Sequence, residues 1–161
     1  MPDVFDIAIV GGGIVGASLA HALGGRASVA LIEREEAWGY HATGRSAAEF
    51  TLRFHSEGTG RLTRASAEFL HTPPEGFCEV PLLRPRGNLL IAPDGKAEHA
   101  RAVFEAETRE GETDQSGLDW LSRDAALEKV PFLDPDWMAA AIYDPDCWDV
   151  DVDALLQSYL K

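Results

Sequence analysis

Cysteine is scarce in this chain: Cys78 and Cys147 are the only two among 161 residues. They are far apart and lack metal-ligand spacing. This excludes a disulfide framework and a thiolate metal centre, and leaves the reduced thiols of a cytoplasmic protein as the expectation. Basic charge is also short, with 14 Lys and Arg against 27 Asp and Glu and a net charge of −13. Nucleic acid and anionic membrane are therefore disfavoured as partners. No apolar run approaches membrane-spanning length, and the few residues before the first strand are acidic rather than basic. A soluble cytoplasmic protein without membrane insertion is expected. Repeats and low-complexity tracts are missing, whereas the 45% hydrophobic content suffices for one ordinary core.

The N-terminus holds the densest signal. Phe5 to Val10 reads as a buried parallel strand that runs into Gly11-x-Gly13-x-x-Gly16, followed by a helix from Ile14 to Leu23 that stops at Gly24-Gly25. Gly11 permits a tight turn, Gly13 lets the backbone approach a pyrophosphate, and Gly16 lets helix and strand pack closely. The helix N-terminus contributes unpaired N–H groups and partial positive charge. A second strand, Ser28 to Ile32, leads to Glu33, which lies 22 positions after Gly11. A carboxylate there accepts hydrogen bonds from ribose hydroxyls and repels a 2′-phosphate. A bare glycine pattern is a weak signal; its strand–turn–helix–strand–acid setting is what makes a dinucleotide site the expectation.

Farther on, Trp38 to Ala48 is a loop of small and hydroxyl-bearing residues expected to turn helical near Ser46. Gly58 to Leu70 reads as a helix with the apolar Leu62, Ala65, Phe69 and Leu70 on one face, ended by Pro73-Pro74-Glu75-Gly76. Leu82-Leu83-Arg84 and Asn88 to Ala92 flank Pro85-Arg86-Gly87 as a hairpin. Ala97 to Glu110 is an amphipathic helix with Ala100, Val103, Phe104 and Glu107 inward. A strand at Leu118 to Leu121 precedes a helix capped by Ser122, and Met138 to Tyr143 is a further strand. Asp151 or Asp153 caps a final helix. The run Asp144, Asp146, Asp149, Asp151 and Asp153 lacks the glycine and distal glutamate of a calcium loop, so a turn plus helix cap is preferred and no metal site is expected.

These residues resemble the D-amino-acid oxidase/dehydrogenase family of FAD-dependent oxidoreductases, the glycine oxidase-like group. The resemblance spans essentially the whole chain. It rests on Gly11 to Gly16, Glu33-Arg34, the more specific Ala42-Thr43-Gly44-Arg45-Ser46-Ala47-Ala48, the Leu82 to Gly87 segment, and Tyr143-Asp144-Pro145 leading to Asp151 to Leu156. It implies an α/β fold: a Rossmann-like FAD-binding βαβ unit with an inserted strand-rich α+β portion of a substrate domain, truncated. The implied partition is residues 1–78 for FAD binding, 79–143 for the partial substrate domain and 144–161 for a return to the first. Gly11, Gly13, Ile14, Val15 and Gly16 would cradle the pyrophosphate, Glu33 would hold the ribose and Arg34 would lie by the adenine. Thr43, Gly44, Arg45, Ser46 and Ala47 would contact the flavin diphosphate and ring; for Arg45, a salt bridge to a nearby acid is an equal alternative. Family members are roughly twice this length or more, in keeping with a two-domain chain, so the sequence reads as an N-terminal half.

The implied chemistry is oxidation of an amine or amino acid by hydride transfer to flavin, with the protein positioning the reacting carbon. No acid–base pair stands out in these residues, so the catalytic residues are unassigned. His41 and His55 read as hydrogen-bonded structural residues, and the four tryptophans as packing residues. Arg84 and Arg86 are either anion contacts or solvated turn cations. Two other functions stay open: a non-catalytic nucleotide-binding module, and an NAD-dependent dehydrogenase, against which the Arg45 loop speaks.

Overall fold

The computed structural model describes residues 4–109 and 117–161. The chain runs through β1 (Ile7–Val10), α1 (Ile14–Leu23), β2 (Val29–Ile32), β3 (Glu49–Phe50), α2 (Glu57–His71), β4 (Leu83–Pro85), β5 (Asn88–Pro93), α3 (Ala97–Arg109), β6 (Asp119–Ser122), α4 (Arg123–Lys129), β7 (Met138–Asp144), β8 (Trp148–Val150) and α5 (Val152–Tyr159). Residue 110, where the sequence pattern ends the third helix, lies outside the described residues. Two compact units emerge: residues 1–48, 66–84 and 149–161 form one, and residues 49–65 and 85–148 form the other.

In the first unit, β1 and β2 pair in parallel with Ile7 opposite Val29 and Val10 opposite Ile32. A parallel pair needs a crossover, and α1 supplies it. Ala17, fully buried, marks where α1 meets the sheet. Helix α5 packs beside α1, starting at Asp151, whose carboxylate accepts the Ala154 N–H at 2.9 Å. Apolar spacing buries Leu156. An aromatic cluster closes this side, with Phe77 edge-on to Phe69, His21 and Tyr159 at ring distances of 4.9, 5.6 and 5.1 Å. Its burial raises the Tyr159 hydroxyl above the ordinary phenol range.

The second unit is built on an antiparallel sheet in the order β5-β7-β6. Central β7 is nearly continuous in apolar residues, as a strand covered by its neighbours must be. Met138, Ala141 and Ile142 are fully buried. Leu89 lies opposite Tyr143, and Trp120 opposite Ile142. Helices α3 and α4 pack on β7, where Ala126, Met138 and Ala141 form a core joined by Leu89, Ile91, Leu121, Leu127 and Leu133. Ser122 caps α4 by accepting the Ala125 N–H at 3.3 Å. On α3, Ala100 is buried and Val103, Phe104 and Glu107 are half-buried, the stripe that periodicity indicates.

Four expectations need correction. Residues 46–48 are not helical: after the Ser46 N–H bonds to the Thr43 carbonyl at 3.3 Å, the chain carries no regular structure until β3. Strands β4 and β5 do not form a hairpin with each other: β5 pairs with β7, while β4 lies beside β8. Gly87 at φ +77 does turn the chain, yet the Arg86 and Gly87 N–H groups donate to the Cys147 carbonyl at 3.0 and 2.9 Å instead of closing a two-strand turn. On α2, Leu62 is 73% exposed and Ala65 is exposed as well, so the inward positions are Gly60, Thr63, Ala67, Phe69 and Leu70. Trp137, half-exposed, also falls short of a packing role.

Candidate dinucleotide site

The glycine turn joins β1 to α1 with the geometry its residues demand. Gly11 sits at φ +107, a conformation that favours glycine, and its N–H donates to the Ile32 carbonyl at 2.7 Å. A Cβ at Gly16 would fall 1.9 Å from the Gly11 carbonyl oxygen, so only glycine lets α1 start here. A Cβ at Gly12 would fall 2.0 Å from the Trp38 indole, which lies against this backbone. No side chain of its own caps the helix at Gly13. Thr43 does so from a distance: its Oγ1 accepts the Ile14 N–H at 3.0 Å. The N–H groups of Val15 and Gly16, also in the first turn, have no acceptor within the helix.

The segment after β2 is fastened onto this turn. Gly39 N–H donates to the Gly12 carbonyl at 3.0 Å, and Gly44 N–H donates to the Gly39 carbonyl at 2.7 Å. Ser46 N–H follows with a bond to the Thr43 carbonyl at 3.3 Å. Glu33 closes the arrangement from the end of β2. Its carboxylate accepts N–H bonds from Gly12 at 2.8 Å, Arg34 at 2.7 Å and Glu35 at 3.0 Å. Those donors favour the charged form, led by the Glu35 N–H, and hold the carboxyl below the usual glutamate range. Glu35 is lowered too, chiefly by the Arg34 guanidinium at 2.6 Å and then by His41 Nε2 at 2.9 Å.

The twelve residues singled out from the sequence all lie in the first compact unit. Gly11, Gly13, Ile14, Val15, Gly16, Glu33 and Thr43 converge on the turn and the start of α1. Arg34 stays at the end of β2 with an 85% exposed side chain paired to Glu35. Gly44, Arg45, Ser46 and Ala47 are exposed on the stretch beyond Thr43. Arg45 pairs with no carboxylate among the described residues; its guanidinium lies 5.0 Å over the Tyr40 ring. Trp38 packs and His41 is hydrogen-bonded, as the sequence suggests, whereas sequence reasoning gave Glu35 and Gly39 no part in the scaffold and named no partner for Trp38. Their signal, a Trp-Gly pair shortly after the acid that ends β2, becomes legible only once Gly12 is seen beneath the indole.

Chemically, the arrangement offers donors and an acceptor in the order a dinucleotide needs. Helix N-terminal N–H groups and the Thr43 hydroxyl suit a diphosphate, and the Glu33 carboxylate suits vicinal hydroxyls. Gly11 leaves its backbone open, while Gly12 is covered by the Trp38 indole and Gly13 lies beside the Thr43 hydroxyl.

The turn and its strands define a dinucleotide-binding βαβ protein. Residues 6–161 match the family model described as FAD dependent oxidoreductase, and the chain belongs to that family, whose cofactor is FAD. It is 27% identical over 154 residues to the Bos taurus protein FAD-dependent oxidoreductase domain-containing protein 1, covering 88% of this chain and 31% of that one. Its fold is similar to glycine oxidase from Geobacillus kaustophilus, with a TM-score of 0.78 at 24% identity over 96% of this chain and 43% of the other. It is also similar to L-alpha-glycerophosphate oxidase from Mycoplasma pneumoniae with FAD bound, with a TM-score of 0.77 at 17% identity over 98% of this chain and 41% of that one. The chain therefore spans less than half the length of these proteins.

Proposed function

We propose that this chain is the dinucleotide-holding part of an FAD-dependent oxidoreductase that acts on a small amine or amino acid. The observation that carries the reading is the glycine turn at the head of α1, flanked by the Thr43 hydroxyl and the Glu33 carboxylate. In this reading Gly11, Gly13, Ile14, Val15 and Gly16 hold the diphosphate through backbone N–H groups, and Glu33 holds the adenosine ribose. Arg34 borders the adenine, while Thr43, Gly44, Arg45, Ser46 and Ala47 line the path toward the flavin. When bound, FAD supplies a hydride acceptor that converts an amine-bearing carbon into an imine, which water hydrolyses. The chain's own residues bind and orient. Residues 1–78 and 144–161 serve the cofactor and 79–143 the substrate side, with the remaining substrate contacts and catalytic groups belonging to the length that the relatives possess beyond this chain. By itself the 161-residue protein is proposed to be inactive and to hold FAD weakly. Both cysteines are free, and no helix among the described residues is long and apolar enough to cross a membrane.

The test uses the purified 161-residue protein and a version extended to the length of its relatives. The extended protein should be yellow and bleach anaerobically with a D-amino acid or an N-methyl amino acid. A colourless extended protein that binds NAD would overturn the reading. Stoichiometric flavin in the 161-residue protein after gel filtration would overturn the weak-binding part.

A further inference from the structure

The second unit contains a cavity of about 350 Å³ between the start of β5, the end of α4 and β7. Its lining is uniform in one respect: Arg86, Lys129, Tyr143 and Asn88 all present donors, and no Asp or Glu lines it. In a chain with 27 acids and 14 bases, a cleft that holds two cations and no acid is notable chemistry. The Lys129 ammonium sits 3.9 Å from the centre of the Tyr143 ring and pairs with no carboxylate among the described residues. Cation–π contact of this kind positions an ammonium without neutralising it. Arg86 is anchored from behind: its Nη2 bonds to Glu49, its Nε donates to the Gly87 carbonyl at 3.3 Å, and its main-chain N–H is tied to Cys147. Asp144, opposite Asn88 in the sheet, is fully buried and engaged by Thr51, Arg53 and the Asp146 N–H. Neither acid faces the cavity as an unengaged charge.

We infer that this cavity is a binding site for a small oxyanion, held by the Lys129 ammonium and the Arg86 guanidinium with the Tyr143 hydroxyl and Asn88 amide as further donors. A cavity of this size sits at the lower end of small-molecule sites, enough for a phosphate or a short carboxylate. The two cations differ in role: Arg86 is already ion-paired to Glu49 and serves as a fixed donor, whereas the Lys129 ammonium brings the charge that no carboxylate among the described residues offsets. The site is separate from the glycine turn, and its test is independent of flavin.

The experiment titrates the ¹⁵N-labelled protein at low salt with inorganic phosphate and, in a second arm, with succinate. Saturable amide shifts at Gly87, Asn88 and Lys129 are expected, with α5 amides unmoved. Lys129→Gln should weaken binding by about fivefold or more, Lys129→Arg should retain it, and Tyr143→Phe should weaken it by about twofold. Tighter binding of phosphate would assign a phosphorylated ligand, and tighter binding of succinate a carboxylate. Straight-line, non-saturating shifts with both anions, or equal affinity in Lys129→Gln and wild type, would overturn the inference.

Discussion

The Thr43 hydroxyl accepts the Ile14 N–H at 3.0 Å across 29 positions of sequence, so the first turn of α1 is capped by the very loop proposed to run along the cofactor. A cap of this kind is worth about 1 kcal/mol. Because the oxygen serves as acceptor here, the hydroxyl proton is left to donate, and in the proposed reading a diphosphate oxygen would accept it. Thr43→Val should weaken FAD binding by roughly tenfold while Thr43→Ser retains most of it. Titration of FAD fluorescence in the extended protein checks this; equal affinity in Thr43→Val and wild type would remove Thr43 from the site.

Gly16 and Gly25 separate steric from conformational need. At Gly16 an added Cβ meets the Gly11 carbonyl oxygen at 1.9 Å, whereas Gly25, at φ +73, faces open space. Gly16→Ala should cost roughly 2 kcal/mol or more through displacement of α1. Gly25→Ala should cost only about 1 kcal/mol, the strain of a left-handed residue. Urea midpoints of the two variants will rank them, and the reverse order would contradict the packing of α1 on the turn.

Acid should loosen the first unit through Glu33. Its folded-state value is depressed by three main-chain donors, so its contribution is complete above the ordinary glutamate value near 4.3. That contribution is lost as pH falls through the depressed folded value. Glu33→Gln should therefore flatten the acid limb of a stability–pH curve measured by urea unfolding. An unchanged acid limb would mean the three N–H bonds do not form in solution.

The two thiols should differ in reactivity. Cys147 is fully buried, and burial pushes its thiol up despite the Arg86 guanidinium at 3.5 Å. Cys78 is half-buried. Under native conditions near neutral pH, a disulfide reagent should modify Cys78 first and reach Cys147 only on unfolding. Peptide mapping after a short exposure reads the order directly.

Arg53 and Asp144 form a buried ion pair at 3.4 Å, with side chains 5% and 1% exposed. Arg53 Nη1 has no hydrogen-bond partner among the described residues. Asp144→Ala strands that guanidinium and should cost about 3–5 kcal/mol. The double variant Arg53→Met with Asp144→Leu should recover most of the loss, because no buried charge is left unpaired. Unfolding free energies for the pair decide it.

Much of this was readable from local pattern. The strand, glycine turn, helix and second strand are contiguous, so hydrophobic period and backbone sterics suffice to place them; the caps at Ser122 and Asp151 follow from side chains bonding a few residues along. Pairing of distant strands has no such local signature. Pro85-Arg86-Gly87 carries hairpin chemistry, yet β5 gains more burial against β7 than it would beside three-residue β4. Arg53 drew no notice because only tertiary contact brings Asp144 to it. Phe54 likewise adopts φ +60 with its N–H donated to Glu107 at 3.1 Å, and nothing in its own type foretells that.

The sequence by itself determined the dinucleotide turn, since glycines at 11, 13 and 16 answer steric demands a few bonds away, and it determined the acidic residue that ends β2. Tertiary structure decided that Thr43 caps α1, that Trp38 lies on Gly12, and that Glu33 is bound by three amides. The Thr43 and Trp38 contacts depend on how the 38–46 loop returns to the turn, and the Gly12 bond to Glu33 on the pairing of β1 with β2: long-range closures whose energy is spread over many weak bonds rather than written in one motif.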